Sequence, residues 1–316
     1  MPRVVRRFVV VGGVAAVIAA VAIGVWRADA QSGAIDAAAL LRDTERLSAD
    51  DMEGRQTGSA GAARARAYIV ERFTASGIRP FGASYLHEFQ VSPAPGGDGP
   101  RGVTANVVGY VSGREVSARY IVVSAHYDHV GVSGGRIFNG ANDNASGTAA
   151  LLALGRYFSA NPARHSIVFA AFDAEEIALN GARAFVSNPP VERSSIVLNI
   201  NADMVGRDSD NHLYVSGTFG QPLLKPPVAR VAARAPVTLL MGHDDPSDRS
   251  GDNWMQRADQ WAFIEAGIPG LYVGVEDREH YHRATDDYAN LTHRFFVNAV
   301  ETIRLLVLEF DEHLLQ

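Results

Sequence analysis

Arg119-Tyr-Ile-Val-Val-Ser-Ala-His126-Tyr-Asp128-His129 is the stretch on which the fold turns. A strand with one wet face alternates polar and apolar residues, whereas one covered on both faces does not. Residues 119–125 are apolar without alternation at their centre and therefore predict a buried strand. It stops abruptly at two histidines and an aspartate. The same pattern recurs downstream. A buried strand over Ser166–Phe172 runs into Asp173-Ala-Glu175-Glu176, and one over Ser195–Ala202 runs into Asp203. Leu271–Val275 leads into Glu276 and then His280-Tyr281-His282, and Asn139-Gly-Ala-Asn-Asp143-Asn144 precedes a helix.

Working outward, further strands are predicted over Tyr85–Val91, Thr104–Val111 and Leu213–Ser216. Helices are predicted over residues 31–50, Ser59–Phe73 (ending near Gly77), Ser146–Phe158, from near Glu175 to Ser187, Val228–Arg234 and His293–His313. Asp51–Gly58 and the Pro- and Gly-rich Ser92–Gly102 are predicted loops, and the rest of 221–258 has no clear period. Strands alternating with helices predict an α/β three-layer sandwich, with a central mixed, mostly parallel twisted sheet between helices. In such sheets functional groups gather at the C-terminal ends of the strands.

The 316 residues, 47% hydrophobic and 20% charged, suit a globular domain with a sizeable core. Arg3, Arg6 and Arg7, the apolar run Phe8–Val25 and Ala28-Asp29-Ala30 form a signal-peptide pattern. The expected organisation is residues 1–30 as signal peptide and 31–316 as one domain, secreted or periplasmic. An uncleaved membrane anchor is the alternative. With cleavage, no stable membrane contact is expected. The formal charge is −6, and removing the net +3 of residues 1–30 leaves −9. No basic stripe is present, which argues against a nucleic-acid partner. There is no cysteine, so any metal must be held by His, Asp and Glu.

Charged strand ends converging on one sheet edge repel one another unless a cation lies among them. A mixed imidazole and carboxylate set suits zinc, and also manganese or cobalt. Singly, each residue has a bland explanation: Glu175-Glu176 resembles an ordinary acidic helix start, and His126 or His282 alone says little. Their joint placement carries the inference.

In these motifs, Ser124–Gly131, Asn139–Gly147, Phe172–Glu176, Asn201–Gly206 and His280–His282, the chain resembles the M28 family of co-catalytic zinc peptidases, which includes bacterial aminopeptidases. Gly54–Gly58, Arg257–Phe263 and Ala266–Pro269 support the resemblance, which spans about residues 36–312. It implies two zinc ions, or other divalent ions. Asp143 would bridge them, His126 and Asp203 would complete one site, and Glu176 and His282 the other. It further implies that Asp128 orients His126, that Glu175 is the general base and that Tyr281 hydrogen-bonds the tetrahedral intermediate. A cis peptide between Asp143 and Asn144 is implied as well. Peptides are the expected substrates. Ala258, Gln260 and His280 depart from the residues frequent in the family and are expected on the substrate side.

Two competing chemistries are legible. Gly131-Val-Ser133-Gly-Gly135 matches the G-x-S-x-G pattern, but a nucleophile elbow needs a helix after it and none is predicted. A single-zinc glutaminyl cyclase of the same fold, or a metal-free binding module, is the other alternative.

Overall fold

The computed structural model describes residues 35–92 and 100–313. The signal-peptide segment and most of the loop after Val91 lie outside them. In chain order the helices are α1 (Ala37–Leu47), α2 (Ala60–Ala75), α3 (Gly147–Ala160), α4 (Asn180–Ser187), α5 (Lys225–Ala232), α6 (Gln260–Glu265) and α7 (His293–His313). The strands are β1 (Leu86–Val91), β2 (Gly102–Val111), β3 (Val116–His126), β4 (Gly131–Ser133), β5 (Arg136–Phe138), β6 (His165–Phe172), β7 (Ile196–Ala202), β8 (His212–Ser216), β9 (Thr238–Met241) and β10 (Gly270–Gly274).

Eight strands form one sheet in the order β1-β2-β6-β3-β7-β10-β8-β9. The central block β6-β3-β7-β10 is parallel throughout. Outside it the sheet is mixed, with β1/β2, β2/β6 and β10/β8 antiparallel and β8/β9 parallel. The four central strands therefore all end at the same edge.

Alternation along each strand separates two cores. Ile121, Val123 and Ala125 join Ile167, Phe169 and Ala171 in a cluster with residues of α1, α2, α3, α5 and α7. Val122, Val168, Ala170 and Phe172 face the other way and pack with Phe185 of α4 and Phe263 of α6. The result is the three-layer sandwich. All eight residues of β6 are buried, as its unalternating sequence predicts. α1 and α2 begin where Asp36 and Ser59 accept hydrogen bonds from Ala39 N and Ala62 N, satisfying amides the helices leave free. Among the described residues, no helix is long and apolar enough to cross a membrane.

Several elements differ from expectation. The helix expected from near Glu175 starts only at Asn180, because Ala174, Ala178 and Leu179 have positive φ (59°, 57° and 60°) and a right-handed helix cannot run through them. Asp50–Arg55 is a 3-10 turn within the expected loop. β9, the β4–β5 hairpin and α6 are short elements that periodicity did not reveal.

Candidate metal centre

His126 is the last residue of β3, and Asp173 and Asp203 each follow directly on the ends of β6 and β7. Tyr127 N–H donates to Phe172 O (2.8 Å) and Asp203 N–H to Val273 O (3.0 Å), so neighbouring strand ends stay in register as they leave the sheet. Asp143 lies in the turn Ala141–Ser146 ahead of α3, and its peptide bond to Asn144 is cis. Gly140 precedes this turn with φ 54°, and a β-carbon there would lie 2.1 Å from Asp143 O and 2.5 Å from the His129 ring. Only glycine combines that backbone with that approach.

The turn is held from several directions. Asp286 accepts the amides of Asn142 and Asp143, each at 2.9 Å, and is itself 3.2 Å from Arg207. Asn142 Oδ1 accepts Gly206 N–H (2.8 Å), and the Asn144 amide donates to Ala202 O (3.0 Å) and accepts Gly147 N–H (2.8 Å). The loop carrying Asp143 is thereby stitched to the end of β7, which carries Asp203. Arg55, wholly buried, donates to four carbonyls: Tyr127 O (2.7 Å), Leu47 O (2.6 Å), Asn139 O (2.7 Å) and Gly140 O (2.9 Å). Nothing in the spacing of the sequence marks Arg55 or Asp286 for these tasks, because both act on main-chain atoms distant in the chain.

The candidate ligand atoms fall into two groups. His126, Glu175 and Asp203 form one; His129, Asp143, Glu176 and His282 form the other, with the atoms of each group within 4.8 Å of one another. Asp143 faces both: its Oδ1 is 3.4 Å from His126 Nε2 and its Oδ2 3.2 Å from His282 Nε2. His126 Nε2 is 3.3 Å from Asp203 Oδ1, and His282 Nε2 is 3.1 Å from Glu176 Oε2. His129, to which the sequence assigned no role, has Nδ1 3.0 Å from Glu176 Oε1. The Asp128 carboxylate lies 3.7 Å from His126 Nδ1, farther than the Asp128 main-chain oxygen at 3.1 Å. Closer partners of that carboxylate are the amides of Glu175 (3.0 Å) and Glu176 (3.3 Å) and the Thr57 hydroxyl (3.1 Å). Asp128 thus aims the two glutamates that the missing helical turn would otherwise have aimed.

Electrostatics follow from this crowding. Burial opposes charge on His126, but Glu175 and Asp203 hold its pKa well above the usual imidazole value. His282 is likewise held up to about 10 by Asp143 and Glu176 against burial. Burial would raise Asp143, yet His129, His126 and His282 keep it well below the usual carboxylate range. Glu176 is lowered by His129 and His282 against burial. Glu175 moves the other way: burial, Glu176, Asp259 and Asp203 together push it well above the usual range. Asp259 is wholly buried with neither carboxylate oxygen hydrogen-bonded, and burial pushes it up to about 8.

The residues fit a divalent cation. Asp143 Oδ2 is buried and has no hydrogen bond of proper geometry, although His282 is near. Imidazole nitrogens and carboxylate oxygens are the donors that zinc accepts. The groups open on a cavity of about 660 Å³ lined by His126, Asp143, Glu175, Asp203, Tyr281 and His282, with Trp254 and Tyr272 among its further walls. Tyr281 is 51% exposed and stacks on His282 with ring centres 3.9 Å apart. Ala258, Gln260 and His280 do not line the cavity. The first two are buried, and His280 turns its Nδ1 to Thr285 Oγ1 at 3.0 Å. Ser133 sits in the exposed β4–β5 hairpin with no helix after it, so the G-x-S-x-G match forms no nucleophile elbow.

The sequence profile described as "Peptidase family M28" matches residues 106–307. "Aminopeptidase YwaD" of Bacillus subtilis (strain 168) is 35% identical over 216 residues, covering 65% of this chain and 44% of that protein. The chain thus spans less than half the length of this relative. Two crystal structures share the fold. The zinc aminopeptidase BSAP from Bacillus subtilis matches at a TM-score of 0.70 and 17% identity, covering 86% of this chain and 95% of that one. The Porphyromonas gingivalis glutaminyl cyclase matches at 0.71 and 18%, covering 86% and 98%. A mixed sheet between helices gathers histidines and carboxylates at its central strand ends, a donor set suited to a divalent metal. The chain belongs to peptidase family M28.

Proposed function

We propose that the chain is an aminopeptidase that holds two zinc ions, one at His126 and Asp203 and one at Glu176 and His282, with Asp143 between them. The carrying observation is that Asp143 turns one oxygen toward each group. Zinc bound there would supply Lewis acidity toward water and the scissile carbonyl. Glu175, on the cavity wall beside His126, takes a proton from the attacking water and hands it to the leaving amine. Its place on the cavity wall, beside the groups that would hold zinc, suits that proton transfer. Tyr281 is placed to donate a hydrogen bond to the carbonyl oxygen as it gains charge. A free substrate α-amine can bind beside the metals and Glu175, which supports cleavage at the N-terminus. His129 holds Glu176 from behind, as a partner of a ligand does.

The glutaminyl cyclase has the same fold at a like TM-score, so the fold does not choose between hydrolysis and cyclisation. Two complete groups of ligand atoms favour two ions. The test is hydrolysis of aminoacyl p-nitroanilides by residues 31–316, with metal content measured in the same preparation. Release that stops with chelator and returns with zinc, at two ions per chain, is expected. One ion per chain, with cyclisation of N-terminal glutamine and no release of other residues, would establish the cyclase instead.

A further inference from the structure

Away from the ligand groups, the cavity wall carries several charged side chains, and most are already paired. Arg278 is engaged by Glu276, Asp277 by Arg207, and Asp252 accepts from His243 Nδ1 at 2.9 Å. Arg257 differs. It is exposed, it lines the same cavity, and among the described residues it makes no ion pair. Its main-chain N–H donates to Trp254 O (3.0 Å) and its Nη2 to Gly251 O (2.7 Å). These contacts tie the guanidinium to its own loop. Of the five N–H donors a guanidinium carries, the others are left without protein acceptors.

The cavity is therefore polar along its length. The wall that carries Asp143, Glu175 and Asp203 also carries Arg257, whose forked donor matches a carboxylate. We propose that Arg257 is a specificity-determining residue that binds a carboxylate on the residue following the scissile bond, making short peptides, dipeptides above all, the preferred substrates. This rests on the aminopeptidase reading, because the substrate's amino-terminal residue must lie at the zinc ligands for the next residue to reach Arg257.

The experiment compares kcat/KM for Leu-Gly with Leu-Gly-amide, and for Leu-Asp-amide with Leu-Asn-amide, at low ionic strength, with Leu-p-nitroanilide as the carboxylate-free reference. Leu-Gly is expected to exceed its amide by about tenfold, chiefly through KM, a modest factor for a charge-assisted hydrogen bond at an exposed site. In Arg257→Ala that ratio falls to near one, and in Arg257→Lys it is intermediate. A gain confined to Leu-Asp-amide, lost in Arg257→Ala, supports the same residue with the acidic side chain as the source. Calorimetric titration of Glu175→Gln with the acid and amide peptides reads the same preference in binding without turnover.

A ratio near one in the parent, or an unchanged ratio in Arg257→Ala, overturns the assignment. Release from Leu-p-nitroanilide in that case leaves the aminopeptidase reading standing. If instead N-acetyl-Leu-Gly is cleaved and no free-amine peptide is, the aminopeptidase reading fails. The acetylated acid and amide pair then decides Arg257 by the same ratio.

Discussion

Glu175 and Glu176 are adjacent in the chain and face different partners. Glu176 lies between His129 and His282 at about 3 Å from each, while Glu175 faces the cavity near His126 and Asp203. Glu175→Gln keeps shape and the ligand set but cannot accept a proton. We expect it to retain bound zinc and to lose about 10²–10⁴ in kcat with little change in KM. Near-parental turnover by a zinc-loaded variant would remove Glu175 from the role of base. At this scale the sequence was informative through joint placement, since His126, Asp143, Glu176, Asp203 and His282 each say little alone and the fold gathers them. It was silent about direction. His129 stands in the same tetrapeptide as His126, yet only the folded turn shows that its ring backs Glu176.

Elements position these side chains, and Arg55 shows how. One buried guanidinium joins the carbonyls of Leu47 at the end of α1, Tyr127 after β3 and the Asn139-Gly140 turn before Asp143. Burial lowers its pKa to about 10, so it stays a cation at neutral pH. A lysine keeps the charge but has no fork with which to reach four acceptors. Arg55→Lys is expected to lose about 2–4 kcal/mol of stability, since buried carbonyls are left unpaired. A roughly 10–100-fold weaker zinc affinity should accompany it, because the loops that aim ligands are loosened. Denaturant unfolding and zinc titration read the two effects, and an unchanged midpoint would show that the carbonyls find other donors. Long buried strands such as β6 were legible because absence of alternation is a strong signal. β9 has four residues at the sheet edge, too few to set a period. The turn at 175–179 was misjudged as helix because no residue type announces left-handed backbone at alanine and leucine.

Over the whole molecule, buried acids set the response to pH. Asp259 is an aspartic acid of ordinary pKa in the unfolded chain, and about 8 in the folded one. The folded state therefore keeps a proton that the unfolded state loses above about pH 4. Its contribution to stability is present below pH 4 and is lost progressively as pH rises toward 8. In chelated protein, Asp259→Asn should melt at a temperature above the parent's by a margin that widens from pH 5 to pH 8, reaching a few degrees. A margin that stays constant with pH would show that Asp259 ionises freely.

The sheet order carries one more consequence. No two strands that lie side by side at the cluster (β6/β3, β3/β7, β7/β10) are consecutive in the chain, and the candidate ligand positions run from His126 to His282. Contacts between such distant segments cost loop-closure entropy and slow folding. A nascent or half-folded copy therefore holds scattered histidines and acids but no working centre. On the proposed function, the capacity to cut peptides depends on the completed sheet, and a partly folded copy lacks it.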